Sequence, residues 1–119
     1  YFLSTKEDHI APWKATYATT QLFSGPCTFT LAASGHVAGV VNPPEKKKYC
    51  YWSAKENPAN PDEWFQSAKS TDGSWWPNWN KWVQKYAGDK VPARKIGAGK
   101  LKPIEDAPGA YVKMKAPED

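Results

Sequence analysis

The chain lacks most of the signatures by which a short sequence declares its chemistry. It has no Cys-x-x-Cys, no His-Glu-x-x-His and no glycine-rich phosphate loop, which excludes zinc ribbons, zincins and nucleotide-binding loops of those types. Gly97-Ala98-Gly99 is too short and follows no strand. The two cysteines, Cys27 and Cys50, are too few for a disulfide framework or a metal site. They read as structural thiols, Cys27 buried at the start of a strand and Cys50 inside a Tyr-Cys-Tyr-Trp cluster, a usage that fits a reducing compartment. No stretch approaches the roughly 18–20 apolar residues of a membrane span. Residue 1 is not Met and already lies inside an apolar run, so it reads as a cut within a longer chain. Charge of one sign is not concentrated: the net charge is +4, and Lys46-Lys47-Lys48, the densest run, reads as a solvated loop. Little suggests nucleic acid.

With 40% apolar and 24% charged residues, the chain falls outside the disordered class, and 119 residues leave room for one domain at most. Prolines and glycines crowd the second half. Tyr1-Phe2-Leu3 reads as a strand over residues 1–5, leading to Asp8 in Glu7-Asp8-His9-Ile10-Ala11-Pro12-Trp13. A helix then starts at Ala11-Pro12, with Pro12 near the first helical position. Trp13, Tyr17, Ala18 and Leu22 give it one apolar face, and Gly25-Pro26 stops it. Residues 27–33 form a second strand, apolar enough to be buried on both faces of a parallel sheet. It leads to His36 in Ser34-Gly35-His36-Val37-Ala38-Gly39-Val40-Val41-Asn42-Pro43-Pro44.

Strand, acid, helix, strand, histidine is the closing half of an α/β-hydrolase, whose triad runs nucleophile, acid, histidine along the chain. Strands that are parallel neighbours, about 4.8 Å apart, bring Asp8 and His36 to one rim of the sheet. There the carboxylate fixes the tautomer of a histidine general base. Ser34 and Gly35 let the chain turn sharply, and Gly39 lets it pack close to whatever enters. Each residue also has a plainer use: Asp8 as the cap of the following helix, His36 as a loop histidine. His9 reads as structural or substrate-proximal, and Glu7 as solvated.

Beyond residue 44 the expectations are coarser. Residues 45–60 read as a polar loop. Asn60-Pro61-Asp62-Glu63 opens a helix to about Ser70 that buries Trp64, Phe65 and Ala68. A second helix starts around Trp76-Pro77, carries Trp75, Trp79, Trp82, Val83 and Tyr86 on one side, and ends at Gly88. Five of the seven tryptophans lie between residues 64 and 82; their helical spacing reads as packing rather than as a row for sugars or bases. Residues 89–119 read as an extended tail, with a short strand or extended segment at 110–114.

Four stretches, Glu7–Trp13, Ser34–Pro44, Gly73-Ser74-Trp75-Trp76-Pro77-Asn78-Trp79 and Ala107-Pro108-Gly109-Ala110-Tyr111-Val112-Lys113, closely resemble polyhydroxyalkanoate synthases of class I, in that family's order. The resemblance implies the C-terminal part of an α/β-hydrolase catalytic domain: the last parallel strands with the Asp and His loops (1–44), a helical Trp-rich segment (45–88) that packs against the sheet and covers the side of the site, and an extended tail (89–119). It implies an acyltransferase that polymerises (R)-3-hydroxyacyl-CoA, released as CoA and polyester, through a Cys-His-Asp triad. Asp8 and His36 match the acid and the base; neither Cys27 nor Cys50 sits in the family's Gly-x-Cys-x-Gly elbow, so the nucleophile lies outside this chain. No cofactor is implied, CoA thioester being the substrate. The implied partners are the N-terminal remainder of the enzyme, the growing polyester and a second copy in a homodimer, in the cytoplasm at the surface of polymer granules. Asp8 either orients His36 or assists the attacking hydroxyl directly. The rival readings are another α/β-hydrolase acting on esters, and a Trp-rich module that binds polymer or carbohydrate. A chain cut here exposes a sheet edge and is expected to need its partner for stability.

Overall fold

Phe2–Thr5 and Phe29–Ala32 pair as parallel strands β1 and β2, with Phe2 opposite Phe29 and Thr5 opposite Ala32, in a computed structural model that describes residues 1–117. Between them run α1 (Trp13–Tyr17) and a 3₁₀ turn (Ala18–Gln21). All four residues of β2 are buried, as its apolar composition requires. The strand–helix–strand expected over residues 1–33 is therefore present, with two corrections. Cys27 lies before β2 and is only half-buried, its thiol on the Gly25 carbonyl. The helix face is Trp13, Tyr17 and Thr20 rather than Ala18 and Leu22. After Tyr17 the chain tightens from 3.6 to about three residues per turn, which rotates Ala18 and Leu22 off the core side; Leu22 is 82% exposed.

Two further strands extend the sheet. β3 (Cys50–Ser53) pairs antiparallel with β2, and β4 (Lys69–Asp72) pairs antiparallel with β3, giving the order β1-β2-β3-β4. The polar loop expected over 45–60 thus contains a strand, whose Tyr51 is buried. The helix expected to reach Ser70 ends at Ser67, and the chain turns into β4 instead. The sheet is mixed, with α/β character, and not purely parallel. β4 is short, polar and exposed throughout, a composition that suits an edge.

Helix α2 (Pro61–Ser67) starts as its sequence dictates: the Asn60 side chain accepts the Asp62 amide at 2.8 Å, and Pro61 takes a position whose N–H would be unpaired anyway. Its buried residue is Trp64. With Tyr17, Phe29 and Leu31 it forms the fully buried core, against which Phe2, Trp13, Trp52, Phe65 and Ala68 pack. Phe29 meets Tyr17 and Trp64 edge-on, each at 4.9 Å between centroids, the geometry aromatic quadrupoles favour. Tyr17 anchors its hydroxyl on the Pro58 carbonyl at 2.6 Å, and burial pushes its phenol pKa up.

Helix α3 (Trp76–Val83) buries none of its residues fully. It is fastened instead by Tyr1, whose ring lies 5.4 Å from that of Trp82 and whose hydroxyl donates to Asn78 Oδ1 at 2.7 Å. Desolvation raises the Tyr1 phenol to about 12. Residues 1–88 form one compact unit and residues 89–119 another. In the second unit, the segment read as a strand or extended piece at 110–114 is a 3₁₀ turn, Tyr111–Lys113.

Candidate active site

The two turns that carry Asp8 and His36 leave the sheet side by side. Beyond the last strand pair, Lys6 N–H bonds to the Ala32 carbonyl at 2.8 Å and Glu7 N–H to the Ser34 carbonyl at 3.1 Å. The parallel pairing is thereby carried into the turns, at the carboxyl ends of β1 and β2. His36 Nδ1 lies 2.7 Å from Asp8 Oδ2.

Both carboxylate oxygens of Asp8 are engaged. Oδ1 accepts the amides of Ile10 at 2.9 Å and Ala11 at 3.0 Å, holding the turn before α1, while Oδ2 takes His36 and, at 3.4 Å, the Thr5 hydroxyl. The N-cap position of α1 is Pro12, with no side-chain capping bond, so the carboxylate organises the turn rather than the first helical amides. The Ala11 amide first, then the His36 imidazole and the Ile10 amide, hold the Asp8 carboxyl well below the usual carboxylate range, outweighing the opposing effect of burial.

A carboxyl depressed in the folded state stabilises the fold above its unfolded value of about 3.9 and ceases to do so as pH falls through the folded value. Wild type therefore loses stability on acidification below about pH 4 more steeply than Asp8→Asn, whereas near neutrality the Asn variant is the less stable of the two. Urea midpoints of both proteins across the acid range check this; parallel curves would contradict it.

His36 is held in its tautomer by the same contact. With Nδ1–H donated to an ionised carboxylate, Nε2 is left as the basic nitrogen. The Asp8 side chain is 8% exposed and that of His36 51%, so the acid is sealed and the imidazole accessible. His36 sits at the start of a helical turn, in which Gly39 N–H bonds to Gly35 O and Val41 N–H to Val37 O, both at 2.9 Å. Ser34 enters this turn with φ 75°, so of the Ser34-Gly35 pair expected to turn the chain it is Ser34 that takes the left-handed conformation. Gly39 corrects its expectation too. A Cβ there would lie 2.5 Å from Thr5 Cγ2 and 2.6 Å from the Ala33 carbonyl, so its smallness admits β1 and the end of β2, not an incoming molecule. Gly39→Ala is expected to cost about 1–3 kcal/mol through overpacking, read as a lowered urea midpoint; an unchanged midpoint would contradict the close approach.

A cavity of about 180 Å³ adjoins the pair, lined among others by Leu3, Ser4, Thr16, Asp8, His36 and Val40. A larger open cleft of about 570 Å³ is lined by Pro44, Trp75, Trp76, Pro77, Trp79 and Asn80. Val40 joins the two: it borders the first, and its carbonyl accepts the indole N–H groups of Trp75 and Trp76, which line the second. The Trp-rich segment therefore divides its work. Trp64 is core as expected, while Trp79 is 42% exposed. His9 and Glu7 are exposed. Cys27 and Cys50 are free, half-buried thiols, one before β2 and one opening β3. Among the described residues no group of three or more His, Cys, Asp or Glu could hold a metal ion, and no helix is long and apolar enough to cross a membrane.

No family model matches the chain. Relatives, however, match nearly all of it. It is 50% identical over 116 residues to the poly(3-hydroxyalkanoate) polymerase subunit PhaC of Rhizobium meliloti, covering 98% of this chain and 19% of that protein. It is 46% identical over 118 residues to the protein of the same name from Cupriavidus necator, covering 98% of this chain and 20% of the relative. Poly(3-hydroxyalkanoate) polymerase 2 of Ectopseudomonas oleovorans is 36% identical over 113 residues. The chain is homologous to a segment of these proteins and spans about a fifth of their length.

Proposed function

We propose that this chain is the C-terminal part of a class I polyhydroxyalkanoate synthase with an α/β-hydrolase core, in which Asp8 and His36 serve a cysteine carried by the remainder of the enzyme. The observation that carries the reading is the 2.7 Å contact of His36 Nδ1 with Asp8 at the carboxyl ends of two parallel strands, in a chain homologous to poly(3-hydroxyalkanoate) polymerases.

The geometry supports the following chemistry. His36 Nε2 takes the proton of the cysteine thiol, since the thiolate is the nucleophile. The thiolate attacks the thioester carbonyl of a (R)-3-hydroxyacyl-CoA; the bond to the CoA sulfur breaks, and His36 returns its proton to the departing CoA thiolate. An acyl thioester on the enzyme remains. His36 then takes the proton of a hydroxyl, on the growing chain or the next monomer, whose oxygen attacks that thioester. An ester forms, and the enzyme thiolate leaves. Asp8 orients the imidazole and stabilises the imidazolium. Its Oδ1 is engaged by two amides and its Oδ2 by His36, and a carboxylate so easily ionised is a poor proton acceptor, which favours orientation over direct activation of the hydroxyl. Substrate identity, a homodimer and residence at cytoplasmic granules belong to the same proposal.

The test is to incubate the full-length enzyme with (R)-3-hydroxybutyryl-CoA and follow CoA and polyester together. Stoichiometric appearance of both supports a polymerising synthase. CoA with free hydroxy acid and no polymer would make it a thioesterase, and no CoA release from a folded enzyme would sink the reading.

A further inference from the structure

The Val40 carbonyl oxygen accepts two hydrogen bonds from side chains, from Trp75 Nε1 at 3.1 Å and from Trp76 Nε1 at 2.9 Å. Val40 lies at the end of the helical turn that carries His36 near its start. The last carbonyls of such a turn have no partner within it, and here both lone pairs of one of them are met by donors at the start of α3. That end of α3 is itself fixed: the Trp75 ring lies 6.4 Å from that of Tyr1, and Tyr1 reaches Trp82 and Asn78.

The turn needs such a hold. Val37, Val40 and Val41 are 67%, 37% and 61% exposed, so burial of their side chains does not fix it. It touches β1 through Gly39, and it meets Asp8 through an imidazole that is itself half exposed. Its two ends are tied, by the Glu7 N–H on the Ser34 carbonyl and by buried Asn42, whose Nδ2 donates to the Lys48 carbonyl at 2.9 Å; between them the Val40 end would loosen without the indoles, and His36 would shift with it.

We propose that Trp75 and Trp76 are positioning residues for His36, acting through the Val40 carbonyl to keep the imidazole on Asp8. The proposal rests on the reading of His36 as the general base. Two donors on one acceptor share the hold, so either indole alone retains only part of it. The same two residues line the larger cleft.

The test uses the full-length enzyme with Trp75→Phe, Trp76→Phe and the double variant, which keep an aromatic ring and remove the N–H. In the double variant kcat for CoA release is expected to fall roughly ten- to a hundredfold, the scale of a misplaced catalytic group. KM should stay within about twofold, and each single variant should lose less than about threefold in kcat. A merely structural role would not move the second readout: the nitrogen signals of labelled His36 should shift from a fixed Nδ1–H tautomer toward an average of both. Unchanged kcat and unchanged His36 signals in a folded double variant would overturn the proposal. Should the double variant lose its fold, the singles decide, partial displacement of the His36 signals supporting the hold and wild-type signals in both overturning it. Absence of CoA release from the unsubstituted enzyme would sink the synthase reading alone, since the histidine signals still report whether the indoles hold the turn.

Discussion

Replacing His36 by Ala in the full-length enzyme is expected to lower kcat for CoA release by about 10³-fold, the middle of the range for a positioned general base and equivalent to about 4 kcal/mol of barrier. The loss falls on kcat, because the imidazole moves protons and need not contribute to ground-state binding of the acyl-CoA. The fold should tolerate the change. His36 is half exposed, and its removal leaves Asp8 with the Ile10 and Ala11 amides that fix its carboxylate. Steady-state kinetics beside a thermal melt separate the two effects. A variant with wild-type kcat would remove His36 from the mechanism, whatever the fate of the family assignment.

The largest effect on stability is expected at Trp64. Its side chain is fully buried among Tyr17, Phe29 and Leu31, and Phe29 meets it edge-on at 88°. Truncation to Ala deletes the central ring of the core and leaves a cavity that the sheet cannot collapse into, at a cost of about 3–5 kcal/mol. Trp64→Phe should cost much less than the volume change alone suggests. The indole Nε1 is buried without a hydrogen-bond partner among the described residues, so removing it also removes a desolvation penalty of about 1–3 kcal/mol. Urea unfolding of the three proteins checks both the size of the Ala effect and the gap between Ala and Phe. A Phe loss as large as its missing volume alone predicts would show that the unpaired Nε1 carries no penalty, and equal losses for Phe and Ala would contradict the packing account as well.

How far the fold was legible depended on whether a segment carries its own instructions. β1 and β2 are apolar runs, and the helix between them is punctuated by Pro12 and Gly25-Pro26, so a local reading sufficed. Asn60-Pro61 likewise announced α2, and the Asn60 side chain caps it. β4 could not be read that way. Lys-Ser-Thr-Asp has little strand propensity, and it is a strand because Tyr51 and Trp52 of β3 present a ladder to Thr71 and Ser70. β3 was hidden in turn by the lysines and prolines before it. Leu22 was misplaced because the helix changes period after Tyr17. At the candidate site, Asp8 and His36 were legible from their positions after two short apolar runs. The hold of Trp75 and Trp76 on Val40 was not: an indole N–H bonded to a backbone carbonyl 35 or 36 residues away leaves no local pattern.

The central claim is that Asp8 and His36 act as one unit, and a double-mutant cycle on the full-length enzyme tests it most directly. CoA release would be measured for Asp8→Asn, His36→Ala and the two combined. If Asp8 works by orienting and stabilising the His36 imidazole, the double variant is no slower than His36→Ala alone, as expected for catalytic groups that act together. Losses that multiply would contradict the account, since Asp8 would then reach the substrate by a route that does not pass through His36.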